Sequence, residues 1–183
     1  MLADKNIAIL VANGFDENQT TEIQRALTKI QAYAKIISPE SGLVNGWQGE
    51  AWGHHFHVDA PISEALGSDY DILILPGGER SAAKLRQNLH TRRIVNHFLD
   101  ANKPIVAVGA GVALLALGGK LAGRTVAAPD NARAELEGAG ASVSENDQEA
   151  DGNLLTLKDA EPSVWAEEAL TFFDVADAVR RAA

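Results

Sequence analysis

The chain has 183 residues, 46% of them hydrophobic, enough for one domain with a sizeable core, since a chain this long buries roughly 70% of the surface its unfolded form exposes. It contains no cysteine, which excludes a disulfide framework, a thiolate metal site and a thiol nucleophile. Lys and Arg number 16 against 25 Asp and Glu, and the formal net charge of -9 argues against nucleic acid as a partner.

The N-terminal stretch MLADKNIAIL lacks the features of a signal peptide, and no apolar run approaches the ~20 residues of a membrane span, so a soluble cytoplasmic protein is expected, with no membrane partner. Ile7 to Val11 reads as a buried strand, followed by the turn signal Asn13-Gly14. Ile23, Ala26, Leu27 and Ile30 recur at helical spacing and predict a helix from about Asp16 to Ala32. Ala34 to Ser38 is a second strand. The segment from Ser38 to Asp59 differs in character, being aromatic and rich in Gly and His. Asp71 to Leu75 is a third core strand, ended by Pro76-Gly77-Gly78. A helix follows between His90 and Ala101, stopped by Asn102-Lys103-Pro104. Ile105 to Val108 is a fourth core strand that meets Gly109-Ala110-Gly111 and enters an apolar helix, Val112 to Leu117. Thr125 to Ala127 and Leu154 to Leu157 are short strands, and a last helix begins near Pro162.

Strands that are nearly all apolar and alternate with helices indicate a mostly parallel sheet covered on both faces. The expected architecture is a single doubly wound, flavodoxin-like α/β domain over residues 1–183, with residues 38–59 as an insertion. Ligands of such sheets sit beyond the carboxyl ends of the strands. Three turns gather there: Asn13 to Asp16, Pro76 to Glu79 and Gly109 to Gly111.

A sharp strand-to-helix turn aims one side chain and several backbone N–H groups at a point, but Gly109 and Ala110 cannot attack a substrate. The turn either binds an anion or carbonyl through its amides or simply lets the helix pack closely on the sheet. Asp16 is either a pocket carboxylate able to hold a proton or, with Gln19, the N-cap of the first helix. On a strand His55 and His57 would share a face, with Asp59 on the same alternation, so a two-imidazole metal site competes there with a plain exposed polar strand. Ser81 with His90 or His97 is a poor hydrolase triad, because neither histidine follows a strand end.

At these turns the sequence resembles the PfpI/ThiJ superfamily, the group that includes archaeal intracellular proteases, glyoxalase/deglycase-type enzymes and stress chaperones. The resemblance runs in register through AILVANGFDE, GLVNGWQGEAWGHHFHVDAPISEAL, YDILILPGG, KLRQN, KPIVAVGAGVALLA, LAGRTV and DGNLLTL. Its most specific parts are Trp52, Gly53, Phe56, Val58 and Asp59, together with the ordered series PGG, KPI, GR.

The resemblance implies an active-site turn Cys-His-Gly where this chain has Gly109, Ala110 and Gly111. It places the family's pocket glutamate on Asp16, and an acidic residue that supports the histidine of a neighbouring subunit on or near Ala83. The family's oxyanion-hole amides correspond to Gly78 and Ala110. Loss of a nucleophile or its base costs about six decades of turnover in triads, so the protease, amidase, glyoxalase and deglycase activities are not expected to carry over. No catalytic residue, cofactor or metal is implied. A secondary similarity joins LADKNIAILVANGFDE and KPIVAVGAG to the C-terminal domain of large-subunit catalases, which implies a structural or docking role.

The leading expectation is a non-catalytic homologue that binds a small molecule or anion, or serves assembly, at this degenerate pocket. A second is recruited non-covalent chemistry on a small carbonyl or amide by Asp16 with the Gly78 and Ala110 amides. A third is an interaction module, with the family's dimers or hexamers implying a homo-oligomer and Trp47, Trp52 and Phe56 as interface aromatics.

Overall fold

The computed structural model describes residues 1–159 and 161–183. In chain order its first half contains β1 (Ile7–Leu10), β2 (Phe15–Asp16), α1 (Glu17–Lys29), β3 (Ala34–Ser38), β4 (Leu43–Trp47), β5 (Trp52–His57), β6 (Ala60–Pro61) and β7 (Ile72–Leu75). There follow α2 (Glu79–Arg86), α3 (Leu89–Asp100), β8 (Ile105–Val108), β9 (Thr125–Val126), α4 (Arg133–Gly138), β10 (Ser142–Val143), β11 (Gln148–Asp151), β12 (Leu154–Leu157) and α5 (Pro162–Ala182).

The main sheet runs β11-β12-β8-β7-β1-β3-β6, and every pairing in it is parallel except β11 with β12. All four residues of β1, β7, β8 and β12 are buried, which is what a sheet covered on both faces demands. Alternation sorts them between two cores. Ile7, Ile9, Ile74 and Val106 pack with Ile23 and Leu27 of α1 and with Trp165 and Phe173 of α5. Ala8, Leu10, Leu73 and Ala107 pack with Leu85 of α2 and with Ile94, Val95 and Phe98 of α3. The doubly wound α/β reading is therefore correct. Among the described residues, no helix is long and apolar enough to cross a membrane.

One local expectation changes. The apolar segment after β8 is not an α-helix from Val112 to Leu117 but 3-10 turns over Gly109–Ala116. Its residues Gly111 to Leu115 are all buried, so packing on the sheet rather than an amphipathic stripe sets its path. The Ser38 to Asp59 segment forms an antiparallel ribbon, β4 with β5, that joins β2. Asn45 faces His55 and Trp47 faces Trp52, so Gly53 and His54 together oppose Gly46: a β-bulge.

Candidate functional site

The turns after β1, β7 and β8 meet through their backbones. Asp16 N–H donates to Gly77 O at 2.8 Å. Gly77 N–H in turn donates to the buried Gln19 Oε1 at 2.8 Å. Gly78, the N-cap of α2, has φ +115°, and a Cβ there would lie 2.5 Å from Gly14 O and 2.9 Å from Asp16 N. Only glycine lets the two turns approach so closely. Gly111 is held as tightly, since a Cβ would fall 2.5 Å from Leu75 O.

Gly109 differs from both. Its φ is +55°, the left-handed region in which a nucleophile-elbow side chain is presented, yet a Cβ would meet nothing closer than Lys158 O at 3.8 Å and Gly77 Cα at 3.9 Å. The elbow backbone and the space for a side chain are both present, and the side chain is missing.

Asp16 is the N-cap of α1, its Oδ1 accepting from Gln19 N–H at 3.0 Å. The reciprocal half of a capping box does not form, because Gln19 turns its side chain to Gly77. Burial pushes the Asp16 carboxyl above its ordinary value, the Gln19 and Asn18 amides oppose this, and the nearby Asp159 charge reinforces it. Asp16 lines an open depression of about 440 Å³ with Asn18, Gln19, Asp147, Asp159 and Glu161.

Ala110 and Ala83 line a different cavity, about 110 Å³, with Glu79, Arg86, Asn131 and Glu135 among the other walls. The singled-out positions are thus divided. Ala83 and Ala110 share one space, and Asp16 opens onto another.

Glu17, the neighbour of Asp16, reads in the sequence as a cap-region charge of the first helix, and the structure gives it a further role. Its side chain is only 6% exposed, although it carries a carboxylate. It accepts from His54 N–H at 2.8 Å, from Gln48 Nε2 at 3.1 Å and contacts His54 Nδ1 at 2.5 Å. Burial alone would raise its pKa, but the hydrogen bonds from His54 and Gln48 and the charge of His54 outweigh burial and hold it low. The carboxylate sits in the bulge of β5. A Cβ at Gly53 would fall 1.7 Å from Glu17 Oε2, and one at Gly46 2.6 Å. The available signal was those two glycines inside strands, which mark a close approach.

The remaining candidates have structural partners. Ser81 is buried, and its Oγ accepts from Ala12 N–H at 2.9 Å. His90 Nδ1 lies 3.3 Å from Arg93 Nε, and His97 Nε2 lies 3.0 Å from Lys103 Nζ. His55 and His57 lie exposed on β5. Among the described residues, no group of three or more His, Cys, Asp or Glu side chains is placed to hold a metal ion. Phe56 packs edge-on to Phe15 at 5.2 Å, and Trp47 does so to Trp52 at 5.2 Å with Arg80 stacked 3.8 Å above the Trp47 ring.

A mostly parallel α/β sheet covered by helices on both faces, with its strand-end turns gathered after β1, β7 and β8, defines a protein of the doubly wound, flavodoxin-like class. The chain belongs to the DJ-1/PfpI family, whose profile matches residues 5–171. It is 32% identical over 140 residues to general stress protein 18 of Bacillus subtilis strain 168, covering 76% of this chain and 79% of that protein. A ThiJ/PfpI domain protein from Brachyspira murdochii superposes with a TM-score of 0.82 at 19% identity, covering 93% of this chain and 96% of the other. A protein from Anabaena variabilis with DJ-1/ThiJ/PfpI-like and ferritin-like domains superposes with a TM-score of 0.83 at 22% identity, covering 96% of this chain and 50% of that one.

Proposed function

We propose that this chain is a non-catalytic member of the DJ-1/PfpI family, cytoplasmic, that uses the degenerate elbow region to bind a small ligand and works through binding or assembly. The observation that carries this reading is the Gly109 elbow. Its backbone keeps the left-handed φ of +55° with room for a side chain, while the residues on it are Gly109 and Ala110, which offer neither nucleophile nor base. The neighbouring Asp16 supports it further, because one of its oxygens is engaged in capping α1. Residual catalysis from oxyanion donors and binding alone falls about six decades short of a complete triad in turnover.

Purified wild-type protein is expected to show no glyoxalase, deglycase or peptidase turnover above a heat-killed control. The double variant Gly109→Cys, Ala110→His is expected to fold, with stability lowered by the about 1–2 kcal/mol that an L-residue costs at the left-handed Gly109. Turnover in the wild type that disappears in Asp16→Ala overturns the proposal.

One observation favours a second reading. Asp16 and Glu17 are adjacent carboxylates whose surroundings move their pKa values in opposite directions, up by burial at Asp16 and down by His54 and Gln48 at Glu17. Asp16 lines the open depression, where a carboxyl with a raised pKa can pass a proton to a ligand, while Glu17 is buried in the β5 bulge. Recruited acid–base chemistry by Asp16, on a small carbonyl or amide held in the depression it lines, is the enzyme this would make. The same Asp16→Ala comparison separates the two readings.

A further inference from the structure

Gln19 lines the depression beside Asp16 and is only 4% exposed. Its Oε1 accepts from Gly77 N–H at 2.8 Å, which fixes the plane of the amide, while the two Nε2 donors have no acceptor among the described residues. A buried donor left unpaired is costly, so Nε2 marks a place where an oxygen belongs. The open side of the residue is the depression, and the acceptor therefore comes from a ligand there.

The rest of the wall sets the charge of that ligand. Asp16, Asp147, Asp159 and Glu161 line the depression, and among the described residues no basic side chain does so. Burial already holds the Asp16 carboxyl above its ordinary value, and the neighbouring charge that acts on it, that of Asp159, is negative. An anionic ligand would add to this repulsion. An ammonium group relieves it and brings N–H donors to carboxylates that can only accept, and the formal net charge of -9 on the chain favours its approach. Gln19 needs one acceptor where the wall otherwise needs donors. A hydroxyl answers both, since it accepts from Nε2 and donates its own proton to a carboxylate.

We propose that this depression binds the protonated amino-alcohol end of a small molecule, the ammonium set against Asp16 and the hydroxyl oxygen accepting from Gln19 Nε2. This deepens the small-ligand reading above and rests on it.

The test is an NMR titration of the full chain near neutral pH with ethanolamine hydrochloride, alongside ethylamine hydrochloride, ethylene glycol and sodium glycolate. These lack in turn the oxygen, the charge and the sign of the charge. Saturable shifts at the backbone amides of Asn18 and Gln19 and at the Gln19 side-chain amide are expected with ethanolamine. Ethylamine should bind roughly fivefold more weakly for want of the Nε2 hydrogen bond, and glycol and glycolate should not saturate. Asp16→Asn keeps the cap of α1 and should weaken both amines roughly tenfold while leaving their ratio unchanged. Gln19→Glu keeps an oxygen for Gly77 N–H, removes the donors and should abolish the preference for ethanolamine over ethylamine. The four ligands on the wild-type chain decide the question even where that buried substitution fails to fold. Equal affinity for ethanolamine and ethylamine overturns the proposal, as does saturable binding of glycolate or an affinity that Asp16→Asn leaves unchanged. No binding of any of the four while the enzymatic assays stay silent overturns this proposal alone. Wild-type turnover that Asp16→Ala removes overturns the reading beneath it.

Discussion

Gly109 and Gly111 stand two residues apart in one turn and do opposite work. At Gly109 the constraint is conformational: φ is +55°, and a side chain would have room. At Gly111 the constraint is steric: a Cβ would press on two carbonyl oxygens, Leu75 O at 2.5 Å and Pro76 O at 2.7 Å. An L-residue in the left-handed region costs about 1–2 kcal/mol. Forcing a methyl against fixed backbone costs about 1–3 kcal/mol or more, because β7 and its turn must move. Gly111→Ala should therefore lower stability more than Gly109→Ala, read as the shift in urea midpoint with the slope held. The reverse order would mean that the turn is soft and that the elbow is not a rigid platform. The W-G-x-x-F-x-V-D pattern also resolves into separate physical duties at this scale. Gly53 makes way for the Glu17 carboxylate, Phe56 meets Phe15, Val58 is buried, and Asp59 Oδ2 accepts from Ile36 N–H at 2.7 Å.

Among the elements, the β4–β5 ribbon is attached by the β2–β4 pairing, by Phe56 against Phe15 and by one buried carboxylate. Glu17, in the first turn of α1, reaches into the β5 bulge and ties the ribbon to the helix N-terminus through His54 and Gln48. Hydrogen bonds to a charged group are worth about 1.5–3 kcal/mol, so Glu17→Ala should destabilise the protein by about 2 kcal/mol. Gly53→Ala should cost a similar amount by expelling the same carboxylate, and the double variant should cost clearly less than the sum. Additive losses in a denaturation cycle would show that the two positions act independently. This attachment was the part of the site least legible in the sequence. The buried strands β1, β7 and β8 declare themselves as continuous apolar runs, and the Gly109 turn by its small residues after β8, because each signal is local. The Glu17–His54 contact joins residues 37 apart through a bulge, and no periodicity records it. The same holds for the two spaces at the elbow. Ala83 and Ala110 come together only because α2 packs beside the turn, and the sequence gives no hint that Asp16 opens away from them.

At the scale of the whole molecule, the displaced titrations predict how stability responds to acid. His97 comes first. Burial lowers its pKa, and Lys103 Nζ, 3.0 Å from its Nε2 and able only to donate, further disfavours a proton there. The unfolded chain takes up that proton near pH ~6.5, before the folded one does, so stability falls as pH drops from that value toward the lowered one. The slope per proton is at most about 1.4 kcal/mol per pH unit. Glu17 comes next with the usual carboxylate sign. Its folded value is held low by His54 and Gln48 against the cost of burial, so its contribution is complete above the ordinary glutamate value and is lost as pH falls through the lowered one. Asp16 has the opposite sign. Burial raises its folded value, so the folded protein takes that proton first, and acidification through the interval above the ordinary aspartate value returns stability. The acid limb should thus begin well above the carboxylate range and be partly offset within it. Urea titrations across pH should show His97→Gln flattening the slope that sets in below the ordinary histidine value of about 6.5. Glu17→Gln should flatten the limb below about pH 4.5, and Asp16→Asn, which keeps the cap, should remove the offset without loss at neutral pH. An unchanged upper slope in His97→Gln would assign the early loss to another group and remove Lys103 as its cause.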